Sequence, residues 1–383
     1  MPASTPPLDR PRVVHVVTGG FSGATQVAVD LCLAALHSGP HEPVLVLRLK
    51  RHTPLARVDA LRAQGLRVLL LPGWSHLHSI WRLSQWLREM KPLAVLAHGF
   101  PEHLIGRHAG VWAGVPTLIQ VEHNSRERYT PWSRWQSRWL AQRSQALVGV
   151  SAGVCESLQR QGLPAEKLRA IPNGIDLTRF PALTAPREAG LVMSARFARQ
   201  KDHATLVRAL ALLPEPRPRL LLAGGGVLRL RQRAEALAKR LGLGDRVVFL
   251  GHHVDVPGLL RSQRICVLAT HFEGMPLALV EGMAAGCACV ASDVVGVRGV
   301  IEPEVTGLLV PAGQPQALAA AIARLLADPA LAERLGQAAR ARAVAEHGLA
   351  LMCQRYQELI TETAPFSARV AATTAGHAAS ARA

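Results

Sequence analysis

Acidic residues are scarce in this 383-residue chain: 27 Asp and Glu stand against 44 Lys and Arg, a formal net charge of +17. Such an excess points to acidic partners, namely nucleic acid, anionic lipid or phosphorylated small molecules. Cysteine is sparse as well. There are six, irregularly spaced, and the one close pair, Cys287-x-Cys289, lies in an apolar run that reads as a buried strand. That disfavours a disulfide framework and a zinc ribbon, and a reduced cytosolic protein is the expectation. No apolar run approaches the ~18 residues of a membrane span. Met1–Arg12 lacks the apolar core of a secretory signal. A dinucleotide fingerprint G-x-G-x-x-G is missing too, and no ribose-binding acid follows the first glycine turn about twenty residues on, so a dinucleotide oxidoreductase is poorly supported. What remains is globular: 49% hydrophobic and 19% charged, with length for two or three domains at ~150 residues each.

From Val13 onward, short β-rich runs alternate with helical patterns. Val13–Thr18, Val44–Leu49, Val68–Leu71, Ala94–His98 and Thr117–Val121 read as strands, and Thr25–His37 as a helix. Continuous apolar strands in a β-α-β-α rhythm predict a parallel sheet covered on both faces. Pro181, Pro186 and Gly190 interrupt the rhythm as a linker does. It restarts with strands at Leu191–Ala195, Leu220–Ala223, Val247–Leu250, Ile265–Ala269 and Ala288–Ala291, separated by helices at Asp202–Leu213 and Leu228–Leu241. The expected class is α/β, with two doubly wound Rossmann-like domains and a C-terminal helical segment. The boundaries are 1–183 and 184–345, followed by a helix over 346–366 returning to the first domain and a frayed tail over 367–383. No 20–50-residue repeat is present.

Two glycine turns follow strands, Gly19-Gly20-x-x-Gly23 and Gly224-Gly225-Gly226. Each is equally a tight βα turn or a place where a phosphate or sugar meets backbone and helix N-terminus. The sharpest local signal is Thr270–Glu281. A strand ends near Ala269, a loop carries Glu273 and Gly274, Pro276 suits the first helical position, and a helix over Leu277–Ala285 is ended by Gly286. Glu273 and Glu281, on the order of 10 Å apart, do not form a proton-sharing dyad. They suit gripping two ends of an extended ligand whose anionic middle meets the helix N-terminus. Arg196 and Lys201 follow the first strand of the second unit. There they can converge on a diphosphate, Arg as a fork and Lys as a point charge.

With these residues in order, the chain resembles the family 4 retaining glycosyltransferases of the GT-B type, in which two Rossmann-like domains face a central cleft. The resemblance runs through Gly19–Gly23, Val121-Glu122-His123-Asn124, Gly149-Val150-Ser151 and Ile171-Pro172-Asn173-Gly174-Ile175-Asp176. It continues through Ala195–Lys201, Val247–Gly251, the E-x7-E stretch Glu273–Glu281 and Asp293–Val297. It implies that Arg196 and Lys201 hold the donor diphosphate and stabilise its charge as it leaves, while Glu281 takes the ribose hydroxyls. Glu273 and the backbone of Gly274, Met275 and Leu277 face the transferred sugar, and His123 reaches a sugar hydroxyl. Gly20 packs near sugar and phosphate, Val254 contacts the base and Asn173 shapes the cleft. It further implies metal-independent catalysis without a cofactor, the nucleotide-sugar being a substrate; the chain has no Asp-x-Asp. The chain departs from the family at Gly296-Val297-Arg298-Gly299, where many relatives carry a Glu, and at Asp202, where glycine is common.

All seven tryptophans fall between Trp74 and Trp139, and Trp132, Trp135 and Trp139 mark one helical face among Arg126, Arg128, Arg134, Arg138 and Arg143. This suits a helix on anionic lipid and equally a core-facing Trp stripe with a solvated Arg face. Since the family's first domain binds the acceptor, a lipid-linked or saccharide acceptor is expected, at the inner membrane face. His98, His103 and His108 recur every five residues, which aligns them on no helical face, so no metal site is expected; His98 at a strand end suits the acceptor cleft. The leading expectation is a nucleotide-sugar-dependent glycosyltransferase, UDP- or GDP-linked, of surface polysaccharide or glycolipid assembly. The alternatives are a nucleotide-sugar epimerase or hydrolase on the same fold, or a non-catalytic basic protein binding RNA or membrane, nucleic acid being the weaker partner because no RNA-binding motif accompanies the tryptophans.

Overall fold

A computed structural model describes residues 10–126, 129–181 and 187–365. The chain divides into two compact units, one comprising the chain to Ile171 and again from Met352, the other Pro172–Leu351.

The first unit begins with β1 (Arg12–Thr18), α1 (Gly23–Ser38), β2 (Glu42–Arg48), α2 (Leu55–Ala63) and β3 (Arg67–Leu71). It continues through α3 (His76–Met90), β4 (Ala94–His98), α4 (Glu102–Ala113) and β5 (Thr117–Glu122). It then runs through α5 (Pro131–Arg143), β6 (Ala146–Gly149), α6 (Ala152–Arg160) and β7 (Leu168–Ala170). The seven strands form one parallel sheet in the order β3-β2-β1-β4-β5-β6-β7. Alternate residues of β2 enter opposite cores, as the period of two requires. Val44 and Val46 pack with Leu83 and Leu87 of α3 and Ile105 of α4, whereas Leu45 and Leu47 pack with Ala28 and Cys32 of α1 and Val58 of α2.

The second unit contains β8 (Glu188–Ser194), α7 (His203–Ala211), β9 (Leu220–Ala223), α8 (Leu228–Arg240) and β10 (Val247–Gly251). There follow α9 (Val256–Ser262), β11 (Gln263–Leu268), α10 (Leu277–Ala284), β12 (Ala288–Ser292), α11 (Val295–Arg298) and β13 (Leu308–Val310). Helices α12 (Pro315–Ala327) and α13 (Pro329–Glu346) come next, and then α14 (Leu349–Thr363). The six strands are parallel in the order β10-β9-β8-β11-β12-β13. From Met352 onward α14 belongs to the first unit, burying Met352, Tyr356, Leu359 and Ile360, and Thr117 Oγ1 donates to the Thr363 carbonyl at 3.2 Å.

The doubly wound α/β reading of both halves agrees with these sheets. Three strands were not anticipated, β6, β7 and β13, and two of them, β7 and β13, are three residues long, too short to alternate. The boundary expected near 183 falls in 182–186, outside the described residues, as does the expected tail over 367–383. Residues 172–180 belong to the second unit, where Ile175 accepts from Leu349 N–H at 2.8 Å and donates to the His347 carbonyl at 2.9 Å. Pro276 stands one residue before the helix, as the N-cap of α10.

A test of the first unit's packing lies at Gly106 in α4. A Cβ there would come 2.8 Å from Ala97 Cβ and 3.3 Å from Val16 Cβ, between helix and sheet. Gly106→Val is expected to cost about 1–3 kcal/mol by overpacking, read as a lower urea midpoint of the first unit's transition. An unchanged midpoint would refute this packing.

Candidate functional site

In each sheet the chain leaves two adjacent strands toward opposite edges, at β1/β4 and at β8/β11. The crevice outside the carboxyl ends of such strands is where open α/β sheets bind ligands. In the second unit β8 runs into Ala195-Arg196-Phe197, and the glycines after β9 let this loop lie close. Ala195 N–H donates to the Ala223 carbonyl at 2.8 Å and Phe197 N–H to that of Gly225 at 2.7 Å. A Cβ at Gly224 would come 2.2 Å from the Ala195 oxygen, and Gly226 has φ +130°. The Gly224–Gly226 run therefore serves the seating of the arginine loop. Phe197 is buried and stacks on His203 at 4.1 Å, while its neighbour Arg196 is exposed.

The same loop returns to β11. Lys201 bridges Thr270, Asp202 N–H donates to the Ala269 carbonyl at 2.9 Å, and Asp202 Oδ1 caps α7 by accepting from Thr205 N–H at 3.0 Å. Asp202, the departure from the usual glycine, is thus a helix cap. Glu273, 5% exposed, sits at the centre of a cluster. It accepts from Lys201 Nζ at 2.5 Å, Gln200 Nε2 at 2.8 Å and Thr270 Oγ1 at 2.7 Å. A carboxylate buried this deeply needs such partners, since an unpaired charge there is strongly destabilising.

Beyond Glu273, Gly274 and Met275 are buried and Leu277 is partly so, leading into α10. Gly296 presses on this loop: a Cβ there would come 2.3 Å from the Gly274 oxygen and 2.4 Å from that of Glu273. In the loop after Asp293, Arg298 binds Asp293 through both carboxylate oxygens, at 2.6 and 3.2 Å. Asn173 is buried, donates its N–H to Met275 Sδ at 3.0 Å, and leaves its Oδ1 without a partner among the described residues. Val254, after β10, is 87% exposed. Burial raises the Glu281 carboxyl to about 7, against the pull of Arg179.

In the first unit Gly19 and Gly20 differ. Gly19 N–H donates to the Arg48 carbonyl, and a Cβ would meet that oxygen at 2.8 Å; at Gly20 the nearest atom is Thr18 Oγ1 at 3.6 Å, leaving open space for a ligand. His123 follows β5. Its N–H and that of Asn124 donate to Glu122 Oε1 at 3.0 and 3.3 Å. Glu122 Oε2 accepts from the Tyr129 hydroxyl at 3.2 Å, Tyr129 accepts from His103 Nε2 at 2.6 Å, and Arg107 Nη2 donates to His103 Nδ1 at 2.7 Å. Arginine only donates, so the whole chain has one polarity ending on Glu122. His98 Nδ1 lies 3.1 Å from His123 Nε2, and His108 instead bonds Gln136 and stacks on Trp139. The three histidines spaced by five do not converge; among the described residues no group of three or more His, Cys, Asp or Glu is placed to hold a metal.

Trp132 and Trp135 of α5 are not core. Trp132 is 66% and Trp135 54% exposed, stacked at 4.8 Å, whereas α5 buries Ser133, Ser137, Leu140 and Ala141. Trp139 is partly buried under Arg143, whose guanidinium lies 3.8 Å from the ring centroid; Arg134 and Arg138 are exposed. Arg128 lies outside the described residues. No described helix is long and apolar enough to cross a membrane.

Two family models match this architecture, glycosyl transferases group 1 over residues 175–342 and glycosyltransferase family 4 over residues 21–179. The putative glycosyltransferase EpsF of Bacillus subtilis is 30% identical over 315 residues, 74% of this chain and 79% of that protein. The chain is a family 4 glycosyltransferase. It is also 24% identical, over 69% of its own length and 73% of the relative's, to the UDP-Gal:alpha-D-GlcNAc-diphosphoundecaprenol alpha-1,3-galactosyltransferase of Escherichia coli. Among solved structures, Anabaena Alr3699/HepE in complex with UDP and glucose shares the GT-B fold, with a TM-score of 0.81 at 20% identity over 92% of this chain and 100% of that one.

Several residues of these clusters were not singled out from sequence: Gln200 and Thr270 on Glu273, Tyr129 on Glu122, and His15. His15 alone left a trace, as a polar residue at the centre of Val-Val-His-Val-Val.

Glu281 supplies a stability test. Its folded pKa is raised, so the native carboxyl keeps its proton between the ordinary value of 4.5 and about 7 while the unfolded chain has lost it. Stability then falls as pH rises through that window. Glu281→Gln removes the fall: the variant is expected to match wild type at pH 4.5 and to be more stable by about 2–3 kcal/mol at pH 8. Urea melts at both values check this, and equal stability at pH 8 would contradict it.

Proposed function

We propose that this glycosyltransferase moves a hexosyl or N-acetylhexosaminyl group, with retention, from a UDP- or GDP-sugar to a lipid-linked or saccharide acceptor in surface polysaccharide or glycolipid assembly. The observation that carries the reading is the Lys201–Glu273–Gln200–Thr270 cluster beside exposed Arg196, at the carboxyl ends of β8 and β11. Lys201 spends one of its three ammonium hydrogens on Glu273, which leaves hydrogens for a diphosphate oxygen. Arg196 adds a planar fork for the same group. The anomeric C–O bond to the diphosphate breaks, the acceptor oxygen bonds the same face, and its proton passes to the departing phosphate oxygen. Stabilising charge on that leaving group is the dominant catalytic term, and basic side chains supply it in place of a metal. Glu281 takes the ribose hydroxyls, with Val254 beside the base and Asn173 near Met275. Glu273 and the backbone of Gly274–Leu277 meet the sugar; His123 and Gly20 meet it from the first unit. A solved neighbour holding UDP and glucose and a relative named for a UDP-sugar and a diphosphoundecaprenol acceptor favour this donor and acceptor class. The stacked, exposed Trp132 and Trp135 with Arg134 and Arg138 suit the anionic inner face of the membrane.

Ligand-induced melting shifts across UDP-, GDP-, ADP- and dTDP-sugars test the donor. One base is expected to stabilise wild type by about 2.7 kcal/mol at a hundredfold excess over Kd, and Lys201→Ala and Glu281→Ala to lose the shift. Lys201→Ala should also lower kcat about 10²–10³-fold. No shift with any donor would reject the reading.

Cosedimentation with anionic vesicles at low salt tests the surface. Wild type is expected to pellet with them and to be released near 1 M salt, where charge is screened within about 3 Å. The Trp132→Ala/Trp135→Ala variant should stay in solution, and binding equal to wild type would remove these rings from the interface.

A further inference from the structure

His15, His98 and His123 form a diagonal across the first sheet. β1 pairs His15 with Leu96 of β4, and β4 pairs His98 with Val121 of β5. Each next histidine stands two residues beyond the paired position, so the three share a face and climb from the middle of β1 to the carboxyl edge. The rings stack with centroids 5.3 Å apart at both steps and planes 22° and 24° from parallel. His15 Nδ1 lies 3.1 Å from His98 Nε2, and His98 Nδ1 lies 3.1 Å from His123 Nε2. At the inner end His15 lines a pocket with His41, Cys353, Tyr356 and Gln357, and the buried Tyr356 hydroxyl has no hydrogen-bond partner among the described residues.

Burial holds the rings neutral, lowering His15 and His123 to about 3 and His98 well below its ordinary value. The ionisable groups beside them are His41, Cys353 and Tyr356 at the inner end and Glu122, whose carboxylate holds the His123 backbone. A neutral imidazole has one N–H. Three such rings joined by two N–H···N bonds have only two arrangements. In one, every Nδ1 carries the proton, so His123 Nδ1 is a donor and His15 Nε2 is a bare acceptor. In the other, every Nε2 carries it, and His123 Nδ1 is an acceptor. Turning one ring alone breaks a buried bond. The Arg107–His103–Tyr129–Glu122 chain beside it has no such freedom, because arginine fixes its direction.

We propose that His98 and His15 are positioning residues for His123: the three rings change tautomer together, so the donor or acceptor character of His123 Nδ1 is set two rings away, at His15. Its consequence for transfer rests on the sugar-contacting role given to His123; the relay itself does not.

Full-length protein carrying imidazole-¹⁵N histidine, examined without ligand by long-range ¹H–¹⁵N correlation at pH 7, reads the protonated nitrogen of each ring directly. Wild type is expected to show all three rings neutral, with one tautomer arrangement dominant. His15→Phe should change the Nδ1-to-Nε2 proton ratio at His123 at least twofold. His15→Gln, whose amide can still accept or donate toward His98, should restore it. A purely structural role for His15 predicts lost melting temperature with no change at His123, and an unchanged His123 overturns the proposal. If His15→Phe does not fold, His15→Leu, smaller and equally without a hydrogen-bonding nitrogen, gives the same reading: a changed ratio supports the relay and an unchanged one overturns it. Should the ratio respond while every nucleotide-sugar fails to bind, the relay stands and the transfer role of His123 falls.

Discussion

The buried ion pair between Lys201 and Glu273 is the constraint on which the second unit's site depends. The two residues leave adjacent strands, β8 and β11, and their contact at 2.5 Å ties the two exits together. Gln200 and Thr270 complete the carboxylate's shell, and the backbone bridge between Lys201 and Thr270 sets the spacing of the two loops. Removing either charged partner would leave the other buried and uncompensated, a loss of about 3–5 kcal/mol where it has been measured in other proteins. The neighbouring backbone inherits this rigidity. Gly296 lies so close to the carbonyls of Glu273 and Gly274 that a methyl group would not fit, and so the loop entering α10 is held from three directions.

How much of this was legible in the sequence follows from the range of each interaction. Long apolar strands announce themselves because four or more residues alternate with helical periods, and the E-x7-E stretch announces itself because loop, proline, helix and glycine lie in one run of residues. β7, three residues long, carries no periodic signal. The Trp132–Trp135–Trp139 spacing gave the helical face correctly, yet periodicity does not say which face is buried. Small residues, Ser133, Ser137 and Ala141, allow α5 to pack closely, and Trp132 and Trp135 are turned outward while Trp139 lies half-buried against His108. Lys201 and Glu273 are separated by 72 residues and His15 and His98 by 83, so only strand order and register bring them together. The histidine diagonal becomes obvious once β1 is known to pair with β4 and β4 with β5, and no local reading supplies that order.

Both units place their polar clusters at the same topological feature but use different chemistry there. The first unit assembles neutral rings and one directed hydrogen-bond chain around His123; the second assembles a lysine, an arginine and a carboxylate. Neutral imidazoles and amides discriminate hydroxyl groups by donor and acceptor pattern, with little long-range field. Fixed cations act on a diphosphate through Coulomb attraction that burial strengthens. The two clusters thus select different ligand chemistry, the first hydroxyl patterns and the second anionic charge.

The scarcity of acids takes on meaning in the same light. Three of the 27, Glu102, Glu122 and Glu273, are at most 5% exposed, and all three stand at strand exits or the helix start that follows one. Glu102 binds Arg48 at 2.8 Å and lies 3.4 Å from Lys50, Glu122 gathers two backbone amides and Tyr129, and Glu273 gathers Lys201, Gln200 and Thr270. Two of these anchors take a cation inward with them, Arg48 with Glu102 and Lys201 with Glu273, so the anchoring costs the surface none of its surplus: the +17 set by composition is still presented to anionic partners.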